Sequence, residues 1–226
     1  MTHPPIDLII FDCDGVLIDS EILSANTLIA LLAELGVHIN FSYIQKNFIG
    51  RSFQKVATEI GQRFQIHLPD GFEAQYRHEL LQSFETQLKP TSGIDQMLRQ
   101  LDIQTCVATS SSPERVGRSL QITKLIEHFE GRIFTASQVK HGKPAPDLFL
   151  LAAKTMGVDP ANCLVIEDSL PGIKAALNAK MPVWHYAGGS HLAGTELAIT
   201  ADCKPSQTFH NWPDFIQLWC QFGKKI

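Results

Sequence analysis

Short apolar runs, set apart by stretches with helical spacing, give this chain its rhythm. Ile6–Phe11, Ile103–Thr109, Arg132–Thr135, Cys163–Ile166 and Pro182–Tyr186 are short and mostly apolar. Between them lie segments such as Pro113–Leu125, with Val116, Leu120 and Leu125 apolar, and Asp147–Met156, with Leu148, Leu151, Ala152 and Met156 apolar. Continuous apolar strands alternating with amphipathic helices predict a parallel sheet covered on both faces. The fold class is α/β, a doubly wound parallel sheet with a Rossmann-like core.

One interval breaks the alternation. From about Ser20 to Lys89 the pattern is helical throughout. "SANTLIALLAELG" predicts a helix with Gly36 as its stop, and "FQKVATEIGQRF" and "FEAQYRHELLQSFETQL" predict two more. The gap is too long for an ordinary crossover. It reads as an inserted all-helical cap domain over 17–89, with an α/β core built from 1–16 and 90–226. The lead Met1–Pro5 reads as disordered. In the tail after Gly188, Trp212, Phe215 and Trp219 are expected to pack back onto the core.

Composition narrows the classes. With 226 residues and 44% hydrophobic content, the chain can bury the core of one or two domains. A net charge of −4 and no basic stripe point to no nucleic-acid partner. No apolar run approaches the roughly 18 residues of a membrane span, so no membrane partner is expected. The first apolar run is too short for a signal peptide and lacks a basic lead. Five cysteines without a CxxC pair suit buried thiols in a reducing, cytoplasmic compartment. Cys13 has no basic neighbour in sequence and two acidic ones, so it reads as a bystander.

Ligands in open parallel sheets sit at the carboxyl ends of strands, so the residues closing each run matter most. The first run ends in Asp12-Cys13-Asp14-Gly15, the second in Thr109-Ser110-Ser111-Ser112-Pro113, and the fourth in Glu167-Asp168-Ser169. "KHGKPAPDLF" sets Lys143 just ahead of a predicted helix. Each fragment alone has a plainer account: a turn, a helix cap, a solvated lysine, a polar loop. Together they place four carboxylates, a lysine and a hydroxyl run along one sheet edge. Four carboxylates in one crevice repel unless cations enter. Lys143 supplies one charge, and a hard divalent ion such as Mg²⁺ suits two or three carboxylates. Exposed N–H groups at the helix start after Ser112, with the Thr109 and Ser110 hydroxyls, make an anion site. Cation, lysine and N–H cradle describe a phosphate pocket.

These motifs resemble those of the haloacid dehalogenase-like hydrolases over essentially the whole chain. "DCDGVLIDSE" matches DxDGxxxDS, Thr109 matches a strand ending in Thr or Ser, Lys143 matches the third motif, and Glu167 and Asp168 match the fourth. The helical insert resembles that family's cap of the first type. The nearest branch is that of β-phosphoglucomutase-like proteins and sugar-phosphate phosphatases. The resemblance implies that Asp12 attacks phosphorus and becomes an aspartyl-phosphate. It implies that Asp14 protonates the leaving alcohol and then activates water. Mg²⁺ would be held by Asp12, the Asp14 carbonyl and Asp168, with Glu167 direct or through water. Lys143 would offset transition-state charge, and Thr109, Ser110 and Ser111 would hold phosphoryl oxygens. Asp19 and Ser20 would shape the cap hinge, or simply cap the first insert helix. In "FIGRSFQKV", Arg51 and Lys55 either meet a second anionic group of the substrate or are solvated. His191 reads as a surface-loop histidine.

The resulting expectation is a monomeric, Mg²⁺-dependent phosphatase of a small phosphorylated metabolite, a sugar phosphate. The alternative is a phosphoryl-transfer mutase; such relatives carry a histidine soon after the first motif, and "DSEILSAN" has none. A receiver domain is more distant, since receivers are shorter and lack a helical insert. Dehalogenase relatives lack the second aspartate, which Asp14 supplies here.

Overall fold

Leu8–Phe11 forms β1, with every side chain buried. It lies at the centre of the sheet because apolar groups on both of its faces need cover. The computed structural model describes residues 5–195, 197 and 199–221; the first four residues of the predicted disordered lead lie outside this set. After β1 come α1 (Glu21–Glu34), α2 (Phe41–Asn47), α3 (Phe53–Phe64), α4 (Phe72–Gln87) and α5 (Ile94–Gln100). Next are β2 (Gln104–Thr109), α6 (Pro113–Ile122), β3 (Ile133–Thr135), α7 (Asp147–Met156), β4 (Cys163–Glu167) and α8 (Leu170–Asn178). The chain closes with β5 (Val183–Tyr186), β6 (Gln207–Phe209) and α9 (Trp212–Gln221).

The six strands run in the order β3-β2-β1-β4-β5-β6, and every neighbouring pair is parallel. Strand side chains alternate between faces, and the core divides accordingly. Leu8, Ile10, Cys106, Ala108 and Val165 join Leu148, Phe149 and Ala152 of α7 and Ile173 of α8 on one side. Ile9, Phe11, Val107 and Ile166 join Ile94 of α5 and Val116 and Leu120 of α6 on the other. The same cluster takes in Trp212, Phe215 and Trp219 of α9, so the tail does fold back. Trp184 of β5 meets Phe215 edge-on at 5.4 Å between centroids.

The chain leaves β1 through a tight turn in which Gly15 takes φ +76°. The N–H groups of Leu17 and Ile18 return to the Cys13 carbonyl at 2.9 and 3.1 Å. Going out and coming back, the backbone meets itself: Asp19 N–H donates to Lys89 O and Thr91 N–H to Leu17 O, at 2.9 and 3.0 Å. Helices α1–α4 lie between those two passes, and their apolar faces (Leu28, Leu32, Val56, Leu80, Phe84) are continuous with the second core cluster.

Helix α6 is shorter than the spacing over Pro113–Leu125 predicts. Lys124 takes φ +59°, and Leu125 N–H folds back to Leu120 O at 2.8 Å, which closes the helix without a glycine. The short β6, α2 and α5 carry no pattern strong enough to announce them.

Candidate active site

Parallel strands with helices on both faces bring the C-terminal ends of β1, β2 and β4 side by side. That placement follows from register: Phe11 aligns with Val107 and with Ile166. Asp12, Thr109 and Glu167 therefore emerge at one edge, as the strand-end residues of the sequence suggest. Lys143 enters from the loop before α7. All are buried, together with Asp14 and Asp168.

Lys143 is the hub. Its Nζ donates to Asp12 Oδ1 at 2.7 Å, Glu167 Oε1 at 2.6 Å and Ala108 O at 3.0 Å. It also lies 5.0 Å from the centroid of the Phe149 ring. Burial alone would lower the lysine pKa, but the two carboxylates outweigh it and raise it. Burial pushes the Asp12 carboxyl well above the usual carboxylate range; Lys143 opposes this, while Glu167, Asp168 and Asp14 add to it.

Asp14 has a different partner, which the sequence reading missed. Arg115 Nη2 donates to Asp14 Oδ1 at 2.6 Å and to Ser24 Oγ at 2.9 Å. Ser20 Oγ donates to Asp14 Oδ1 and Ser111 Oγ to Asp14 Oδ2, both at 2.6 Å. Burial would raise this carboxyl, but Arg115 and the two hydroxyls hold it below the usual range. The available signal was positional: Arg115 lies in the first turn of the helix that follows the hydroxyl run. Ser20 precedes α1 yet makes no side-chain cap; its hydroxyl goes to Asp14 instead.

Glu167 has both oxygens taken by protein donors. Besides Lys143 at Oε1, its Oε2 accepts from Asp168 N, Ser169 N and Ser169 Oγ at 3.0, 3.1 and 2.9 Å. The carboxylate tucks over the N-terminus of α8, where a Cβ on Gly172 would meet it at 1.8 Å. That contact explains the glycine of "EDSLPG". Asp168 has no such set of donors: its Oδ2 is buried without a hydrogen-bond partner. Burial, reinforced by Glu167, pushes its carboxyl well up.

Asp12, Glu167 and Asp168 each bring an oxygen to within 4.8 Å of the others. Around this edge four carboxylates face two cations. Arg115 answers Asp14 and Lys143 answers Glu167, leaving Asp12 and Asp168 under-compensated. That deficit fits a divalent cation, and hard oxygen ligands suit Mg²⁺. With its oxygens occupied, Glu167 fits a place behind the ligands better than a direct bond.

The phosphate-binding candidates share one cavity. Thr109, Ser110, Ser111 and Arg51 line one cavity with Asp12, Asp14 and Lys143, enclosing about 100 Å³. Thr109 Oγ1 accepts from Ser111 N at 3.1 Å. Helices α1–α4 roof the cavity with Glu21, Phe53, Tyr76 and Arg77. Phe53 and Tyr76 stack at 5.1 Å, and Arg77 Nη1 donates to Ser112 Oγ at 2.8 Å. Burial, helped by Asp14, pushes the Glu21 carboxyl up to about 8.

Arg51 and Lys55 are settled by their partners, and one expectation changes. Lys55 is exposed, and its Nζ donates to the Lys143 carbonyl at 2.9 Å. Arg51 does line the cavity, but its charge is already paired with Glu59 at 2.6 Å. His191 is buried, with its side chain fully covered, rather than a surface-loop residue, since its loop folds inward against Gly15. Cys13 is buried, and burial with Asp14 and Asp12 nearby raises its thiol well up, which keeps it an inert neighbour.

Comparison with known proteins gives a consistent result. A protein-family model described as haloacid dehalogenase-like hydrolase matches residues 6–180. A probable pseudouridine-5'-phosphatase of Drosophila melanogaster is 34% identical over 88% of this chain and 91% of its own. The 6-phosphogluconate phosphatase of Escherichia coli K12 is 25% identical over 82% of this chain and 85% of its own. The crystal structure of a conserved haloacid dehalogenase-like protein of unknown function from Agrobacterium tumefaciens superposes with a TM-score of 0.81. It is 29% identical and covers 97% of this chain and 100% of its own.

Proposed function

Because the chain belongs to the haloacid dehalogenase-like hydrolases and is a phosphoric monoester hydrolase, we propose that it is a Mg²⁺-dependent phosphatase of a small sugar phosphate, working through an aspartyl-phosphate. In this reading residues 17–89 form a cap over a core of 1–16 and 90–226. The observation that carries it is the pairing pattern at the strand ends. Asp12 is held at Oδ1 by Lys143 at 2.7 Å, while Asp14 is held apart by Arg115 at 2.6 Å. Two adjacent carboxylates with opposite pKa shifts divide the labour of nucleophile and proton carrier.

Asp12 attacks phosphorus in line, one displacement being split into two easier ones. Lys143 keeps the attacking carboxylate oriented and offsets charge on the phosphoryl oxygens. Thr109, Ser110 and Ser111, at the start of α6, supply hydroxyl and N–H donors to those oxygens. A phosphate dianion entering beside Asp14 adds negative charge, which raises this carboxyl toward the protonated form needed for the leaving alcohol. Once the alcohol departs, the Arg115 contact favours the ionised form that activates water. Asp12, Asp168 and the Asp14 carbonyl would hold Mg²⁺, with Glu167 behind them, and the ion would supply positive charge opposite the transferred group. The roof formed by Phe53 and Tyr76 excludes bulk water and sets the space for the sugar.

The test is phosphate release from a panel of sugar phosphates and p-nitrophenyl phosphate, with Mg²⁺ and with chelator. Metal-dependent release that favours a sugar phosphate is expected, and Asp12→Asn should lose it while keeping its circular dichroism spectrum. Metal-independent release, or an active Asp12→Asn variant, would overturn the mechanism.

A further inference from the structure

The loop after β5 holds a buried group that the proposed chemistry leaves unused. His191 has a fully covered side chain, and neither ring nitrogen has a hydrogen-bond partner. Its Nε2 lies 2.9 Å from Asp168 Oδ2, an oxygen that likewise lacks a partner. Two unsatisfied buried polar atoms at hydrogen-bonding distance are costly apart and complementary together.

The surroundings hold the ring there. A Cβ on Gly15 would meet His191 Cε1 at 2.8 Å and Asp168 Oδ2 at 2.0 Å. A Cβ on Gly189 would meet Cε1 at 2.6 Å and Nδ1 at 2.7 Å. The glycine of "DCDG" and the second glycine of "GGSH" thus leave the space that the ring and carboxylate fill. The loop is tied from both sides. Asp19 Oδ1 accepts from Ser190 N and Ser190 Oγ at 3.1 and 2.7 Å. From α2, Gln45 Nε2 donates to the His191 carbonyl at 2.6 Å. His191 is not among the residues whose ligand atoms converge, which are Asp12, Glu167 and Asp168.

We propose that His191 is a positioning residue for the Asp168 carboxylate: its Nε2, 2.9 Å from Oδ2 but not aligned on it as a hydrogen bond here, turns its N–H onto that oxygen when the divalent cation binds. The proposal rests on the metal reading given under the proposed function. A donor behind a ligating carboxylate sets its rotamer and removes the entropy cost of ordering it when the ion arrives. The tie to Gln45 makes the cap part of that support.

The test is Mg²⁺ affinity measured by calorimetry on the free protein, independent of turnover. His191→Leu removes the donor and keeps bulk; it should weaken Mg²⁺ binding by about tenfold or more. His191→Gln keeps an N–H donor at similar reach and should recover binding to within about threefold of wild type, the remainder reflecting its looser side chain. A role in packing alone would not be rescued by that amide. Should His191→Leu fail to fold, His191→Met removes the donor on a flexible apolar side chain of similar reach and carries the same expectation. Equal affinity of wild type and the donor-lacking variant would overturn the inference while leaving the metal site standing. A wild-type protein that binds no Mg²⁺ would overturn the metal reading, and this inference with it.

Discussion

Lys143→Met is the substitution whose cost is best determined by the structure. The ammonium is 1% exposed and bridges Asp12 and Glu167, themselves 9% and 0% exposed at the side chain. Methionine fills similar volume against Phe149 but leaves two buried carboxylates without their cation. Removing one partner of a buried ion pair costs about 3–5 kcal/mol. In a chain of this length each kcal/mol moves Tm by about 2–4 °C, so a fall of about 6–20 °C is expected. The pH dependence has a definite sign. Asp12 is already raised by burial, with Lys143 the force opposing that rise; without the lysine it rises further. A raised carboxyl leaves stability intact at low pH and removes it as pH climbs through the folded-state value. The deficit of the variant is therefore larger near pH 8 than near pH 5.5, because falling pH favours the protonated Asp12. Urea unfolding followed by circular dichroism, in chelator at both pH values, measures it. A deficit below about 1 kcal/mol at pH 8, or one that grows as pH falls, would refute the account of Lys143 as the neutralising hub.

Arg115→Met should free the Asp14 carboxyl to rise, lower kcat by about 10²-fold or more, and move the acidic limb of the pH–rate profile upward; an unmoved limb would count against Arg115 as the group that sets Asp14. Glu21→Gln concerns a carboxyl raised from 4.5 to about 8: the wild-type protein loses stability as pH rises through that value, so the variant should match it near pH 4.5 and exceed it by about 1–2 kcal/mol at pH 9, after discounting for partial exposure. Thermal unfolding in chelator across that range checks it, and a constant gap between the two proteins would contradict the burial of Glu21.

Much of the site was legible because its residues are local to strand ends. Asp12, Thr109 and Glu167 each close an apolar run, and parallel register then places them side by side. Lys143 was legible from its motif, though the three acceptors that make it a hub were not. Arg115, Arg77 and His191 escaped because nothing near them in sequence marks a partner. Their contacts span 101, 35 and 23 residues: Arg115 to Asp14, Arg77 to Ser112 and His191 to Asp168. The Lys55 bond was not legible for the same reason, since its acceptor is a backbone carbonyl that no side-chain pattern announces.

The alternation of apolar runs and amphipathic stretches by itself determined a parallel sheet with helices on both faces, because burial on two sides requires it. The long helical interval by itself determined a run of helices between the first two strands, because no ordinary crossover needs that length. Strand order, the closing β6 and which carboxylates Lys143 and Arg115 reach were decided only by tertiary packing. Four buried acids in one crevice are chemically alike in sequence. They became different groups once Lys143, Arg115 and the start of α8 reached three of them and left Asp168 beside His191.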